Sequence, residues 1–138
     1  MTHIAAVLFD LDGTLVDTAP DFVRVLNQLR ADDQLAPLPY DAIRNQVSNG
    51  ARALVKLGFE LDEHSDDFAR RLEKLLTLYE QGLAVESKLF DGLDASLRWL
   101  EQRNIPWGVV TNKPSRYTLP LLRGLQLDQR CAVTVCPD

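Results

Sequence analysis

Short apolar runs alternate with longer amphipathic stretches along this chain. The apolar runs cover 4–9, 105–110 and 132–135, and each is short enough to be a strand buried in a sheet. Between the second and third runs, and before the second, apolar residues recur at helical spacing. Strands that alternate with helices favour right-handed crossovers and a parallel sheet, so the predicted fold class is α/β.

The stretch between the first two strands is helical throughout. Apolar periodicity predicts four helices, at 22–29, 41–47, 51–57 and 68–79. Gly58 is expected to end the third helix and Gly82 the fourth, because glycine is common just after a helix. No segment of this block is predicted to be a strand, so the sequence indicates a helical insertion after the first strand.

Two acids follow the first strand at once. Asp10 and Asp12 are followed by Gly13 and Thr14, and ligands of open α/β sheets bind at the carboxyl ends of strands. Residues one apart on a strand point to opposite faces. The two carboxylates can therefore serve one substrate only if the chain turns at Gly13, which glycine permits.

Paired carboxyl groups suit phosphoryl transfer. One carboxylate can attack phosphorus and form an aspartyl-phosphate, while the other protonates the leaving oxygen and later deprotonates water. Two acids repel a phosphate dianion, so the arrangement also predicts a cation. Mg²⁺ fits best, because it takes oxygen ligands and is commonly held by one or two carboxylates together with phosphate.

The second apolar run ends in Thr111, Asn112, Lys113 and Pro114. A hydroxyl, an amide and the free N–H groups at the start of the next helix form a cradle for phosphate. Pro114 fits the first turn of that helix. Lys113 is either a phosphate ligand or a solvated loop charge, and we expect the solvated charge.

Residues 10–18, which read DLDGTLVDT, resemble the first motif of the haloacid dehalogenase-like hydrolases in their phosphatase form. The resemblance implies a Rossmann-like core with a parallel sheet, with Asp10 as nucleophile and Asp12 as general acid/base. It also implies that Mg²⁺ binds the Asp10 side chain and the Asp12 main-chain carbonyl. Thr111 would then hydrogen-bond the phosphoryl group, with Asn112 beside it, while the family's catalytic lysine comes from a later motif.

The resemblance also divides the chain into a core and an inserted α-helical cap. The core would comprise residues 1–17 and 88–138, and the cap residues 18–87, with the two connections at 14–19 and 85–92. A cap that opens and closes excludes water during the attack on phosphorus and carries substrate selectivity.

The specificity candidates on the cap are Asn49, Gly50 and Arg52. Arg52 either holds a substrate carboxylate with two hydrogen bonds or is an ordinary exposed helix arginine. Three segments are similar to the phosphoglycolate phosphatase branch of the family: 48–53, 87–90 and 111–114. This similarity implies a small phosphorylated metabolite, of the phosphoglycolate or N-acetylmuramic acid 6-phosphate type, as substrate.

Other functions stay open. A phosphomutase would use Asp12 to return the phosphoryl group, and a dehalogenase of the same fold would have no use for Asp12. A non-catalytic fragment that binds a partner is the third alternative. Members of the family continue with a third motif that supplies a lysine and a fourth that supplies further acids, and nothing after Val135 matches them. We therefore expect an N-terminal portion with little activity by itself, and an unpaired sheet edge near Asp10 that favours self-association.

Composition excludes several remaining classes. A chain of 138 residues with a net charge of −5 and no block of basic residues disfavours a nucleic-acid surface. No stretch is long enough to span a bilayer, and no signal peptide is recognised. Cys131 and Cys136 lack the spacing of redox or zinc motifs. We expect a cytoplasmic enzyme with reduced cysteines.

Overall fold

The chain passes from one structural unit to a second and back again. The computed structural model describes residues 3–138, and Met1 and Thr2 lie outside the described residues. The first unit is formed by the chain up to Asp17 together with Ser87–Asp138, and the second by Thr18–Glu86. The family resemblance places Ser87 in the cap, at residues 18–87, but Ser87 belongs to the first unit.

The strands of the described chain are short. They are β1 Val7–Phe9, β2 Val16–Asp17, β3 Lys88–Leu89, β4 Trp107–Val110 and β5 Val133–Val135. The helices are α1 Ala19–Asp32, α2 Tyr40–Arg44, α3 Ala51–Phe59, α4 Asp66–Gln81, α5 Leu93–Gln102 and α6 Ser115–Gly124, and a 3₁₀ turn covers Val47–Asn49. No described helix has both the length and the apolar character needed to cross a membrane.

The first unit contains a parallel sheet with the strand order β1-β4-β5, which confirms the α/β prediction. Gly108 at its centre pairs with Leu8 on one side and Val133 on the other. β1 begins at Val7 instead of Ile4, because only Val7–Phe9 pair with β4. Leu8 is 61% exposed on this edge strand of the described sheet.

An ion-pair cluster joins α5 to the beginning of β4 and to the loop before β5. The Arg130 guanidinium lies 2.9 Å from a carboxylate oxygen of Glu101 and 2.9 Å from one of Asp94. The indole of Trp107, which is 1% exposed, donates to Glu101 over 3.0 Å. These hydrogen bonds lower the pKa of Glu101, with Arg130 as the largest cause.

The chain leaves the first unit after β2 and returns to it at β3. These two strands pair antiparallel, with Val16 opposite Leu89 and Asp17 opposite Lys88. Phe90 N extends the ladder by donating to Leu15 O over 3.3 Å. The parts of the two predicted connections that form β2 and β3 therefore lie side by side in the first unit.

Helices α1 to α4 make the second unit, and α1 packs on both α3 and α4. Phe22 of α1 stacks on Tyr79 of α4 with ring centroids 4.0 Å apart. The prediction that Gly58 ends the third helix is wrong, since α3 continues to Phe59. A Cβ at position 58 would lie 2.8 Å from Leu26 Cδ1, so glycine serves the close approach of α3 to α1. Gly82 follows the last residue of α4, as predicted.

Candidate active site

The loop after β1 turns where the sequence requires it to turn. Gly13 has a φ of +77°, and its N–H donates to Val16 O over 2.9 Å. Val16 N in turn donates to Leu11 O over 3.0 Å. The chain therefore reverses within residues 11–16 instead of continuing as a strand, which removes the constraint that would send Asp10 and Asp12 to opposite faces.

The two acids on this loop differ in exposure. Asp10 is exposed at the carboxyl end of β1, and its Oδ1 accepts a hydrogen bond from Leu11 N over 2.8 Å. The side chain of Asp12 is 20% exposed. Among residues 3–138, no backbone N–H donates to the carbonyl oxygen of Asp12. A carboxylate at position 10 and a carbonyl at position 12 are thus available to a cation.

Lys113 reaches this loop from the end of the next strand. Its Nζ lies 3.0 Å from Asp12 Oδ1, and its side chain is only 6% exposed. The expectation of a solvated loop charge is therefore wrong for Lys113. The reason lies in the sheet, because β1 and β4 pair in parallel and their carboxyl ends are neighbours.

Thr111 and Asn112 follow β4 and differ in exposure. Thr111 is 7% exposed, and its N–H donates to Val135 O over 3.0 Å. Its Oγ1 accepts from Lys113 N over 3.0 Å. A hydroxyl that accepts one hydrogen bond can still donate another, so Thr111 keeps the capacity to donate to a phosphoryl oxygen. Asn112 is exposed to solvent.

Thr118 is a contributor to this loop that sequence reasoning missed. Its hydroxyl, which is fully buried, lies 3.0 Å from both Lys113 O and Pro114 O and donates to them. Pro114 precedes the helix instead of starting it, with the extended backbone φ −56° and ψ 146°. Hydrogen bonds on both sides therefore fix the loop that carries Lys113.

The start of α6 is not free, contrary to the cradle predicted from the sequence. Ser115 N donates to Asp138 Oδ1 over 2.9 Å, and Ser115 Oγ lies 2.7 Å from Asp138 Oδ2. These hydrogen bonds hold the pKa of the Asp138 carboxyl below its ordinary value. A carboxylate of the chain itself thus occupies the position at the helix N-terminus that favours an anion.

The oxygen donors present fit part of a magnesium site. No group of three or more His, Cys, Asp or Glu side chains able to hold a metal is found among residues 3–138. Mg²⁺, however, is usually bound through one or two carboxylates and keeps water and substrate phosphate as its other ligands. Asp10 and the Asp12 carbonyl match that smaller requirement.

The specificity candidates lie together at the start of α3 in the second unit. Gly50 has a φ of +90°, and Asn49 Nδ2 donates to Gln46 Oε1 over 3.0 Å. The Arg52 side chain is 55% exposed and lies 3.5 Å from Glu63 Oε2, while its guanidinium stands 4.9 Å from the Phe68 ring centroid. Arg52 thus has a long, exposed ion pair that a substrate carboxylate could replace.

Comparison with known proteins places the chain among hydrolases. Residues 4–138 match the model of the haloacid dehalogenase-like hydrolase family. An N-acetylmuramic acid 6-phosphate phosphatase of Pseudomonas putida is 46% identical over 99% of this chain and 61% of its own length. A phosphoglycolate phosphatase of Xanthomonas campestris is 40% identical over 96% of this chain and 60% of its own length.

A solved structure shares this fold. The crystal structure of a predicted phosphoglycolate phosphatase from Haemophilus somnus superimposes with a TM-score of 0.83 and 26% identity, over 100% of this chain and 66% of that one. The chain thus spans about three fifths of the length of the curated relatives it matches. By its sequence from residue 4 to 138 and by its fold, the chain belongs to the haloacid dehalogenase-like hydrolases.

Proposed function

We propose that this chain carries the nucleophile of a Mg²⁺-dependent phosphatase that hydrolyses a small phosphorylated metabolite through an aspartyl-phosphate. The observation that carries the proposal is the meeting of two loops at the carboxyl ends of β1 and β4. One loop supplies Asp10 and Asp12, the other supplies Thr111 and Lys113, and the 3.0 Å contact between Lys113 and Asp12 joins them. The names of the relatives from Pseudomonas putida and Xanthomonas campestris support a phosphatase.

The reaction follows from these residues in two displacements. First, a carboxylate oxygen of Asp10 attacks phosphorus, the bond from phosphorus to the bridging oxygen breaks, and the Asp12 carboxyl gives its proton to that oxygen. The alcohol then leaves. Next, the Asp12 carboxylate takes a proton from water as the water oxygen attacks phosphorus. The bond between Asp10 and phosphorus breaks with its electron pair returning to Asp10, and inorganic phosphate leaves.

The remaining groups bind and neutralise the phosphoryl group. Thr111 would donate to a phosphoryl oxygen, and Asn112 would hydrogen-bond beside it. The Asp10 carboxylate and the Asp12 carbonyl would hold Mg²⁺, which neutralises part of the phosphate charge when it is bound. The family pattern adds a lysine and further acids from later motifs, so we expect the 138-residue chain to be poorly active by itself.

The second unit, residues 18–86, would be the cap that selects the substrate. Its candidates are Asn49, Gly50 and Arg52, and Arg52 would exchange Glu63 for a substrate carboxylate. Both substrates named for the relatives, phosphoglycolate and N-acetylmuramic acid 6-phosphate, contain such a carboxylate. Arg52→Met should then raise KM for these two esters and leave KM for p-nitrophenyl phosphate, which has no carboxylate, within about twofold.

The test compares this chain with an extended protein, in which the part of the Pseudomonas putida relative that this chain does not match continues the chain after Asp138. Hydrolysis of p-nitrophenyl phosphate, phosphoglycolate and N-acetylmuramic acid 6-phosphate is measured with and without Mg²⁺. Asp10→Asn in the extended protein should lose at least about a thousandfold in kcat, as expected for a covalent nucleophile. Asp128→Asn, at an exposed aspartate of the same unit, is the matched control. Full activity of the Asp10→Asn variant would refute the assignment of Asp10 as the nucleophile.

Self-association stays a prediction for the 138-residue chain. β1 is the edge strand of the described sheet, and Leu8 on it is largely exposed. Unpaired edges with apolar side chains favour pairing with another chain. Sedimentation should detect dimers or larger species that Leu8→Lys reduces, and a monomer at all concentrations would contradict this prediction.

A further inference from the structure

The ion pair between Lys113 and Asp12 has a feature that the reaction scheme leaves unused. The Lys113 side chain is 6% exposed and the Asp12 side chain 20% exposed, with 3.0 Å between Nζ and Oδ1. Lysine is almost never buried to this degree without a partner, because an ammonium pays a large desolvation cost. The buried ammonium is therefore directed at the acid that the reaction needs.

The backbone of Lys113 is held on both sides, so its side chain starts from a fixed point. Its N–H donates to Thr111 Oγ1 over 3.0 Å, and its carbonyl accepts from the buried Thr118 hydroxyl over 3.0 Å. Both threonines are less than a tenth exposed. A side chain anchored in this way can hold a carboxyl group in one orientation with little loss of entropy at the moment of reaction.

We propose that Lys113 is a positioning residue that orients the Asp12 carboxyl for proton transfer to the leaving oxygen. This inference rests on the proposed function and assigns a role that the sequence had given to no residue. Lys113 holds Oδ1 of Asp12, which leaves Oδ2 to carry the proton that moves to the bridging oxygen. A direct bond from Lys113 to the phosphoryl group is the competing role, and the two roles differ in a measurable way.

The difference lies in how the rate depends on the leaving group. An alkyl alcohol leaves poorly as an alkoxide, so its departure depends on a well-placed acid. The p-nitrophenolate ion is stable without a proton and depends little on that acid. A positioning defect should therefore slow an alkyl phosphate much more than p-nitrophenyl phosphate. A phosphate-binding or packing defect should slow both esters by the same factor.

The kinetic experiment uses the extended protein and the variant Lys113→Met. We expect kcat/KM, which reports the steps up to departure of the alcohol, to fall at least about tenfold more for phosphoglycolate than for p-nitrophenyl phosphate, within the range that general acid–base catalysis contributes. Lys113→Arg, which keeps the positive charge, should show a smaller difference between the two esters than Lys113→Met. In an Asp12→Asn background, Lys113→Met should leave the ratio of the rates on the two esters unchanged. Lys88→Met, at an exposed lysine of the same unit, is the matched control.

A second measurement needs no enzymatic activity and uses the 138-residue chain itself. Lys113→Met and Asp12→Asn are combined in a double-mutant cycle of urea unfolding. If the pair exists in solution, the effect of Lys113→Met on the unfolding constant should differ between the two backgrounds by at least about tenfold.

The outcomes distinguish failure of the positioning role from failure of the proposed function. Additive effects on unfolding, or equal losses of kcat/KM on both esters, would overturn the positioning role of Lys113 while the phosphatase stands. Coupled unfolding together with no hydrolysis of any ester by the extended protein would overturn the proposed function itself, and the positioning role with it. Coupled unfolding together with the leaving-group preference establishes the positioning role.

Discussion

Replacing Gly108 with alanine tests the packing of the sheet beneath the two catalytic loops. Gly108 lies at the centre of β4, between Leu8 and Val133. A Cβ there would lie 2.6 Å from Val133 Cγ1, 2.7 Å from the Val133 carbonyl oxygen and 3.2 Å from Leu8 Cδ2. Carbon atoms in favourable contact are about 3.5–4.0 Å apart, so the added methyl does not fit unless its neighbours move.

The main-chain contact determines the size of the effect. Val133 is 49% exposed, so its side chain can rotate away, but its carbonyl belongs to the backbone of β5. Overpacking a core costs about 1–3 kcal/mol, and displacement of a strand places this substitution near about 3 kcal/mol. With a urea slope of about 2 kcal/mol per molar, this loss lowers the unfolding midpoint by about 1.5 M.

The assay is urea unfolding of the 138-residue chain followed by far-ultraviolet circular dichroism. Gly58→Ala is the matched control, because the three nearest atoms to its Cβ would all belong to the side chain of Leu26, with Cδ1 2.8 Å away. Its gain in helix propensity, about 1 kcal/mol, offsets much of that crowding. An unfolding free energy of Gly108→Ala within about 0.5 kcal/mol of the wild type would refute the prediction. It is also refuted if Val133→Ala fully restores the stability of Gly108→Ala, since the backbone oxygen would remain in place.

Two further substitutions have predictable effects on stability. Arg130→Met should lower the free energy of unfolding by about 1 kcal/mol at neutral pH, which is the upper end of the range for partly exposed ion pairs. Because Arg130 lowers the pKa of Glu101, the stabilisation is present above the ordinary carboxyl pKa and is lost as pH falls through the lowered pKa. Urea unfolding measured from pH 7 to acidic pH should therefore show a shrinking difference in unfolding free energy between the wild type and Arg130→Met. A difference that stays constant with pH would contradict this prediction. Ser65→Ala removes the hydroxyl that accepts from Phe68 N over 3.1 Å at the start of α4 and should cost about 1 kcal/mol, while Ser65→Asp should retain most of the stability.

The sequence was informative where the determinants are local. The apolar runs predicted the three strands of the parallel sheet, and the turn at Gly13 followed from the need to bring two acids to one substrate. Strand ends were less predictable, since β1 begins at Val7 only because β4 offers partners from Trp107 onward. Gly58 was misjudged for a similar reason. Its role is set by Leu26 on another helix, and no pattern within α3 reveals that contact.

Long-range partners account for the errors in the candidate site. Lys113 meets an acid that lies 101 positions earlier in the chain, so its own neighbours suggested only a loop charge. Asp138 binds Ser115 across 23 positions and occupies the helix start that was expected to be free. Both contacts follow from the order of strands in the sheet. The sequence indicated a parallel sheet without saying which strands are adjacent.

The register of the sheet therefore connects stability to chemistry. Phe9 pairs with Val109, so the residues that follow, on the loops of Asp10 and Thr111, emerge side by side. A shift of one residue would turn every side chain of the strand to the opposite face and separate Asp12 from Lys113. At Gly108 the strands approach closely enough that an added Cβ would meet both β1 and β5. If that approach sets the register, Gly108→Ala should also reduce the unfolding coupling between Lys113 and Asp12, although it touches neither side chain.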